Sequence, residues 1–132
     1  MENWDGWETG RVTVLVSAVL YAGIWAQLSL YHWGGAFRHP AMVTPVIITP
    51  IIVIAILLGS VDGDGVLGWI AAGALILGVL EGVAGLYFHL RGTSYMVGRF
   101  SIRNFIAGPP PVLPVAYSLA GVVGLVGLFL ND

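Results

Sequence analysis

Long apolar runs alternate with short polar breaks along this chain. The runs cover about 12–31, 41–58, 66–90 and 111–130, and the breaks are rich in Gly, Pro, Asp and Arg. A helix needs roughly 20 apolar residues to cross a hydrocarbon core of about 30 Å. Each run is near that length and only the third holds a charge, Glu81. Backbone in lipid must satisfy its own N–H and C=O groups, so it is helical or closed into a barrel. Barrel strands alternate apolar and polar residues, and these runs do not. The pattern predicts an all-α membrane protein, one domain over 1–132, folded as an antiparallel bundle of four transmembrane helices.

The breaks fit that topology. The segment 60–65 (SVDGDG) is a polar, glycine-rich turn, and 32–40 (HWGGAFRHP) carries a Gly-Gly break and a proline stop. The one long connection is 91–110, which holds Arg91, Arg99 and Arg103. With Arg38 these arginines put the first and third connections in the cytoplasm, because only Arg11 lies on the opposite side. Both termini are then non-cytoplasmic. The N-terminus carries acids where a signal peptide has bases, so it does not read as a cleaved signal.

Composition narrows the class further. Of 132 residues 58% are hydrophobic and 9% charged, with 7 acids and 5 bases for a net charge of −2. Soluble domains average about 25% charged residues, so a soluble fold is excluded, as is a disordered chain. Five arginines and no lysine make no basic field for nucleic acid. The absence of cysteine excludes disulfides and thiol chemistry. The absence of lysine fits a GC-rich bacterial genome, and the expected location is a bacterial plasma membrane, as a multi-pass protein.

A weak repeat is present. Tyr31-His32-Trp33-Gly34-Gly35 and Phe88-His89-Leu90-Arg91-Gly92 both read aromatic-His-x-x-Gly, and proline-marked runs follow each. This predicts two hairpins of the same orientation, with each motif ending its helix.

Glu81 is the most informative side chain. It stands about three residues past the middle of the third run, roughly 5 Å from the midplane. An ionisable group at that depth costs about 2.5–3.5 kcal/mol, so it should face protein or water. It is a candidate proton or ion site, or a polar core bonded to Tyr21, Thr49 or Tyr117 on other helices. Around it, Gly78, Gly82 and Gly85 form a small-residue face, and Gly121, Gly124 and Gly127 form another on the last helix. Such faces let backbones approach closely, within one bundle or between subunits.

Three further readings follow from residue type. His32 and His89, on facing helices, are the kind of pair that holds a b-type haem, or a metal ion with His39 as third ligand. Arg91, Arg99 and Arg103 suit lipid headgroups or another anion, so bound lipids are expected. Thr44-Pro45 and Thr49-Pro50 place proline inside the second helix, where threonine hydroxyls can bond the freed backbone.

No nucleophile–base set is legible, so catalysis by the chain alone is not expected. The first functional expectation is an accessory subunit of a respiratory or photosynthetic membrane complex, packing through its glycine faces against other subunits. The alternatives are an oligomeric, proton-coupled transporter or channel using Glu81, and a redox subunit using His32 and His89.

Overall fold

A computed structural model describes residues 4–97, 101–103 and 110–130. Four long helices are present: α1 (Thr9–Gly34), α2 (Thr44–Gly59), α3 (Val66–Val97) and α4 (Val112–Phe129). All four spans, α2 counted with the short 3-10 turn Pro40–Met42 before it, are long and apolar enough to cross a membrane. Each helix packs on the next, and α1 closes the ring on α4. Contacts between α1 and α4 run in opposite directions. Gly10 meets Gly127, Ser17 bonds the Ala120 carbonyl at 2.7 Å, and Tyr21 lies edge-on to Tyr117 with ring centroids 4.8 Å apart.

The core follows from side-chain size. Val14, Tyr21, Ile52, Ile56, Leu75 and Leu128 are fully buried along the bundle axis. The glycines let neighbouring helices close on them. A Cβ on Gly82 would meet the backbone of Ser118 and Pro114 at 2.7 and 2.8 Å, and one on Gly127 would meet the Gly10 carbonyl at 2.9 Å. Gly78 and Gly121 accommodate the Tyr21 hydroxyl, Gly124 accommodates Leu75 and Ser17, and Gly85 lies 3.2 Å from Pro114 by the same measure. Both glycine faces are therefore occupied inside the bundle. The outward faces carry large apolar residues, among them Val19, Leu30, Ile47 and Leu80, as a lipid-facing surface requires.

Two boundaries differ from the sequence reading. The third helix does not stop near residue 90 but continues to Val97, so the connection expected over 91–110 begins as helix. Its 32 residues extend about 48 Å, well beyond a 30 Å hydrocarbon core. Polarity at Arg91-Gly92-Thr93 marks the edge of the apolar span, and no proline stands there to end the helix. The aromatic-His-x-x-Gly motif consequently ends α1 and not α3. At the end of α1 the left-handed residues are Ala36 (φ 54) and Phe37 (φ 46), one step beyond the Gly-Gly pair. The Ala36 N–H bonds Trp33 O and the Phe37 N–H bonds His32 O, which is a Schellman closure with alanine where glycine is usual.

Proline placement follows one rule at three sites. Proline has no N–H, so the carbonyl four residues earlier loses its helical donor. Pro45 leaves Ala41 O, which accepts from Thr44 Oγ1 at 3.0 Å. Pro50 leaves Val46 O, which accepts from the Trp25 indole of α1 at 2.9 Å. Pro114 leaves Pro110 O, which accepts from His89 of α3 at 2.9 Å. A carbonyl facing lipid without a donor costs about 1–3 kcal/mol. Trp25→Phe should therefore destabilise the bundle by about 1–2 kcal/mol. In a Pro50→Ala background, where residue 50 again has an N–H for Val46 O, the same change should cost less than half as much. A double-mutant cycle of unfolding in detergent measures the difference, and equal costs in both backgrounds would disprove the capping role.

Candidate functional site

Two polar contacts cross the bundle on its diagonals. Tyr21 of α1 is 0% exposed, and its hydroxyl sits in the notch left by Gly78 of α3. Thr49 of α2, also 0% exposed, lies 2.8 Å from the Tyr117 hydroxyl of α4. Thr49 Oγ1 also donates to the Pro45 carbonyl one turn back. Threonine has a single hydroxyl proton, so Tyr117 is the donor to Thr49. The result is a directed chain, Tyr117 O–H to Thr49 O–H to Pro45 C=O. It fixes the Tyr117 ring against α2 and leaves its oxygen lone pairs for a neighbour.

Above this layer a cavity of about 880 Å³ opens between the helices. Glu81, Gly82 and Tyr117 line its inner part, and Arg38, His39 and Arg91, all exposed, line the part at the helix ends. From Glu81 to Arg91 is ten residues of α3, about 15 Å. Its walls are mainly apolar: Ile24 and Leu28 from α1, Met42 before α2, Phe88 from α3, and Leu113 and Pro114 from α4. This volume and lining suit a small organic molecule, for which pockets run from roughly 300 to 1,000 Å³. The side chain of Glu81 is half-buried at the cavity wall. Among the described residues it has no hydrogen-bond or ion-pair partner, and the bonds expected to Tyr21, Thr49 or Tyr117 are not made. The Tyr21 hydroxyl likewise has no partner among them.

The three histidines line the same cavity and are held differently. A carbonyl can only accept, so the bond to Pro110 puts a proton on His89 Nδ1. His39 Nδ1 accepts the Ala41 N–H at 3.1 Å, capping the 3-10 turn, and its ring rests on Phe88 at 5.4 Å. His32 Nδ1 is buried with no hydrogen bond among the described residues. Among the described residues no three His, Asp or Glu side chains are grouped to hold a metal ion, so the three histidines share a cavity without forming a metal-binding cluster. Of the arginines proposed for anions, Arg91 reaches the Tyr87 hydroxyl at 3.4 Å, Arg103 is exposed, and Arg99 lies outside the described residues.

Several contributors were not read from the sequence as site residues. Arg38, Met42 and Phe88 complete the cavity, and Ser17 and Ser118 tie α4 to α1 and α3 through the Ala120 and Val79 carbonyls at 2.7 and 3.1 Å. The signal for the serines was their position in charge-free apolar helices, where a hydroxyl needs a carbonyl acceptor. Compared with protein-family models, with characterised proteins and with solved structures, the chain finds no match.

Proposed function

We propose that this chain is a small membrane carrier that exchanges protons for a largely apolar molecule bearing one positive or proton-donating group. The observation that carries the reading is the cavity that runs between the helices to Glu81, a carboxyl unpaired among the described residues, at the inner end of apolar walls. A carboxylate at that depth needs a counter-charge or a proton. A cationic group supplies the first, and its apolar body fits Ile24, Leu28, Phe88 and Leu113. A cavity of this size exceeds what a proton alone requires, and one carboxylate with the Tyr117 hydroxyl is too few ligands for an inorganic cation. Proton and substrate then compete for the same oxygen atoms, which is the minimum requirement for exchange.

The arginine distribution supports an orientation. Arg38, Arg91 and Arg103 fall on one side of the predicted topology and Arg11 on the other, which favours a cavity facing the cytoplasm and termini facing outward, in a bacterial plasma membrane. An accessory-subunit role loses one of its motives, since both glycine faces are occupied within the bundle. A haem between His32 and His89 is the competing occupant, because both imidazoles line the cavity. A Soret band in the purified protein would favour that occupant.

The test uses proteoliposomes with a pH-sensitive dye inside and tetrabutylammonium added outside. Protein-dependent proton efflux, absent from empty vesicles, is the expected result. A purified, folded protein that moves neither proton nor cation would refute the proposal.

A further inference from the structure

Tyr21 carries an unexplained feature. Its hydroxyl is buried in the bundle centre with no hydrogen-bond partner among the described residues. A buried, unbonded hydroxyl costs about 1–3 kcal/mol, and such groups persist for a reason. The hydroxyl occupies the place where a Cβ on Gly78 would stand. Cβ atoms three residues apart on a helix face are about 5–6 Å apart. The Cβ of Glu81 is therefore within about 4–8 Å of the Tyr21 oxygen. Three bonds carry a glutamate oxygen about 3.5 Å from its Cβ. A Glu81 carboxyl turned toward Gly78 by rotation about its side-chain torsions can therefore approach the Tyr21 hydroxyl.

We propose that Tyr21 is a second station for Glu81: the carboxyl faces the cavity when charged, and turns into the Gly78 notch to bond Tyr21 when protonated. The chemistry of the two places separates the states. The cavity side admits water or a cationic substrate. The notch is closed by Tyr21, Gly78, Gly121 and Tyr117 and offers one neutral hydroxyl, which suits an uncharged acid alone. In the notch the Tyr21 O–H donates to the acid's carbonyl oxygen. The proton is thereby withdrawn from the cavity while the substrate site is empty, so proton and substrate occupy Glu81 in turn. Tyr21 acts here as a positioning residue, and the inference rests on the exchange reading of Glu81.

Infrared difference spectroscopy on acidification reads the station directly. The carbonyl stretch of protonated Glu81 is the band that Glu81→Gln removes. In Tyr21→Phe that band should move to higher frequency, because a donor to the carbonyl is lost, and proton-coupled exchange should slow about tenfold. The ring is retained and the hydroxyl has no bond to lose, so the variant should fold as the wild type does. Gly78→Ala, whose methyl group would displace the Tyr21 hydroxyl, should move the band the same way. A band unmoved in Tyr21→Phe, or no band lost in Glu81→Gln, overturns the proposal. Tetrabutylammonium-driven flux by the wild type separates the two ideas. Flux with an unmoved band keeps the carrier and removes the station, whereas a Tyr21-sensitive band without flux keeps the station and removes the carrier.

Discussion

Glu81→Gln should abolish proton-coupled exchange, by at least a hundredfold, while the protein still inserts and folds. Glutamine keeps the shape of glutamate and cannot exchange a proton. Glu81 has no hydrogen-bond or ion-pair partner among the described residues, so the fold loses no contact there. Removing an ionisable group from this depth also relieves part of the roughly 2.5–3.5 kcal/mol such a group costs. Unfolding in detergent should therefore show equal or slightly higher stability for the variant. Exchange assayed in proteoliposomes at matched protein content separates the two effects. Full activity in Glu81→Gln would remove the carboxyl from the mechanism, and loss of folded protein would give it a structural role instead.

A large loss of stability should come from Gly82→Val. A Cβ at Gly82 would meet the Ser118 nitrogen at 2.7 Å and the Pro114 carbonyl oxygen at 2.8 Å. These are backbone atoms of α4 and cannot swing aside, so the two helices must separate. Overpacking of this kind costs typically 1–3 kcal/mol, and the branched side chain puts Gly82→Val at about 3 kcal/mol. Separation of α3 from α4 also moves the Ser118 to Val79 bond and widens the cavity beside Glu81. Gly73 of α3 is the control, because a Cβ there meets nothing within 4 Å. Gly73→Ala should stabilise the helix by up to about 1 kcal/mol through helix propensity alone. A thermal or denaturant series in one detergent compares them, and similar effects at both positions would disprove close packing as the role of Gly82.

Much of the fold was legible because lipid leaves the backbone few choices. Run length and the short breaks predicted four helices in an antiparallel bundle, and four such helices are present. The end of α3 was less legible. Loss of hydrophobicity at Arg91 marks the edge of an apolar span, whereas a helix ends only where its hydrogen bonding is broken, and α3 runs on to Val97. The proline rule was half legible. Sequence identifies which carbonyl each proline strands, but only the tertiary arrangement supplies Trp25 and His89 as donors. At the site, Glu81, Tyr21, Thr49 and Tyr117 were read as one polar group, and they do occupy one region of the bundle. Their connectivity was not legible. Thr49 pairs with Tyr117, whereas Glu81 faces an open cavity and Tyr21 a closed notch. Cavities arise where small residues on one helix face a proline-limited approach on another, as at Gly85 and Pro114, and this depends on pairing across four helices. The glycine stripes gave no indication from sequence alone whether they faced inward or outward.

The central claim is that one carboxyl is shared between a proton and a substrate. The most direct measurement is the number of protons released when tetrabutylammonium binds the purified protein in a weakly buffered detergent solution. Up to one proton per bound cation should be released at low pH, falling to none where Glu81 is already ionised, with no release from Glu81→Gln. Cation binding without proton release at any pH, or release that persists in Glu81→Gln, would contradict it.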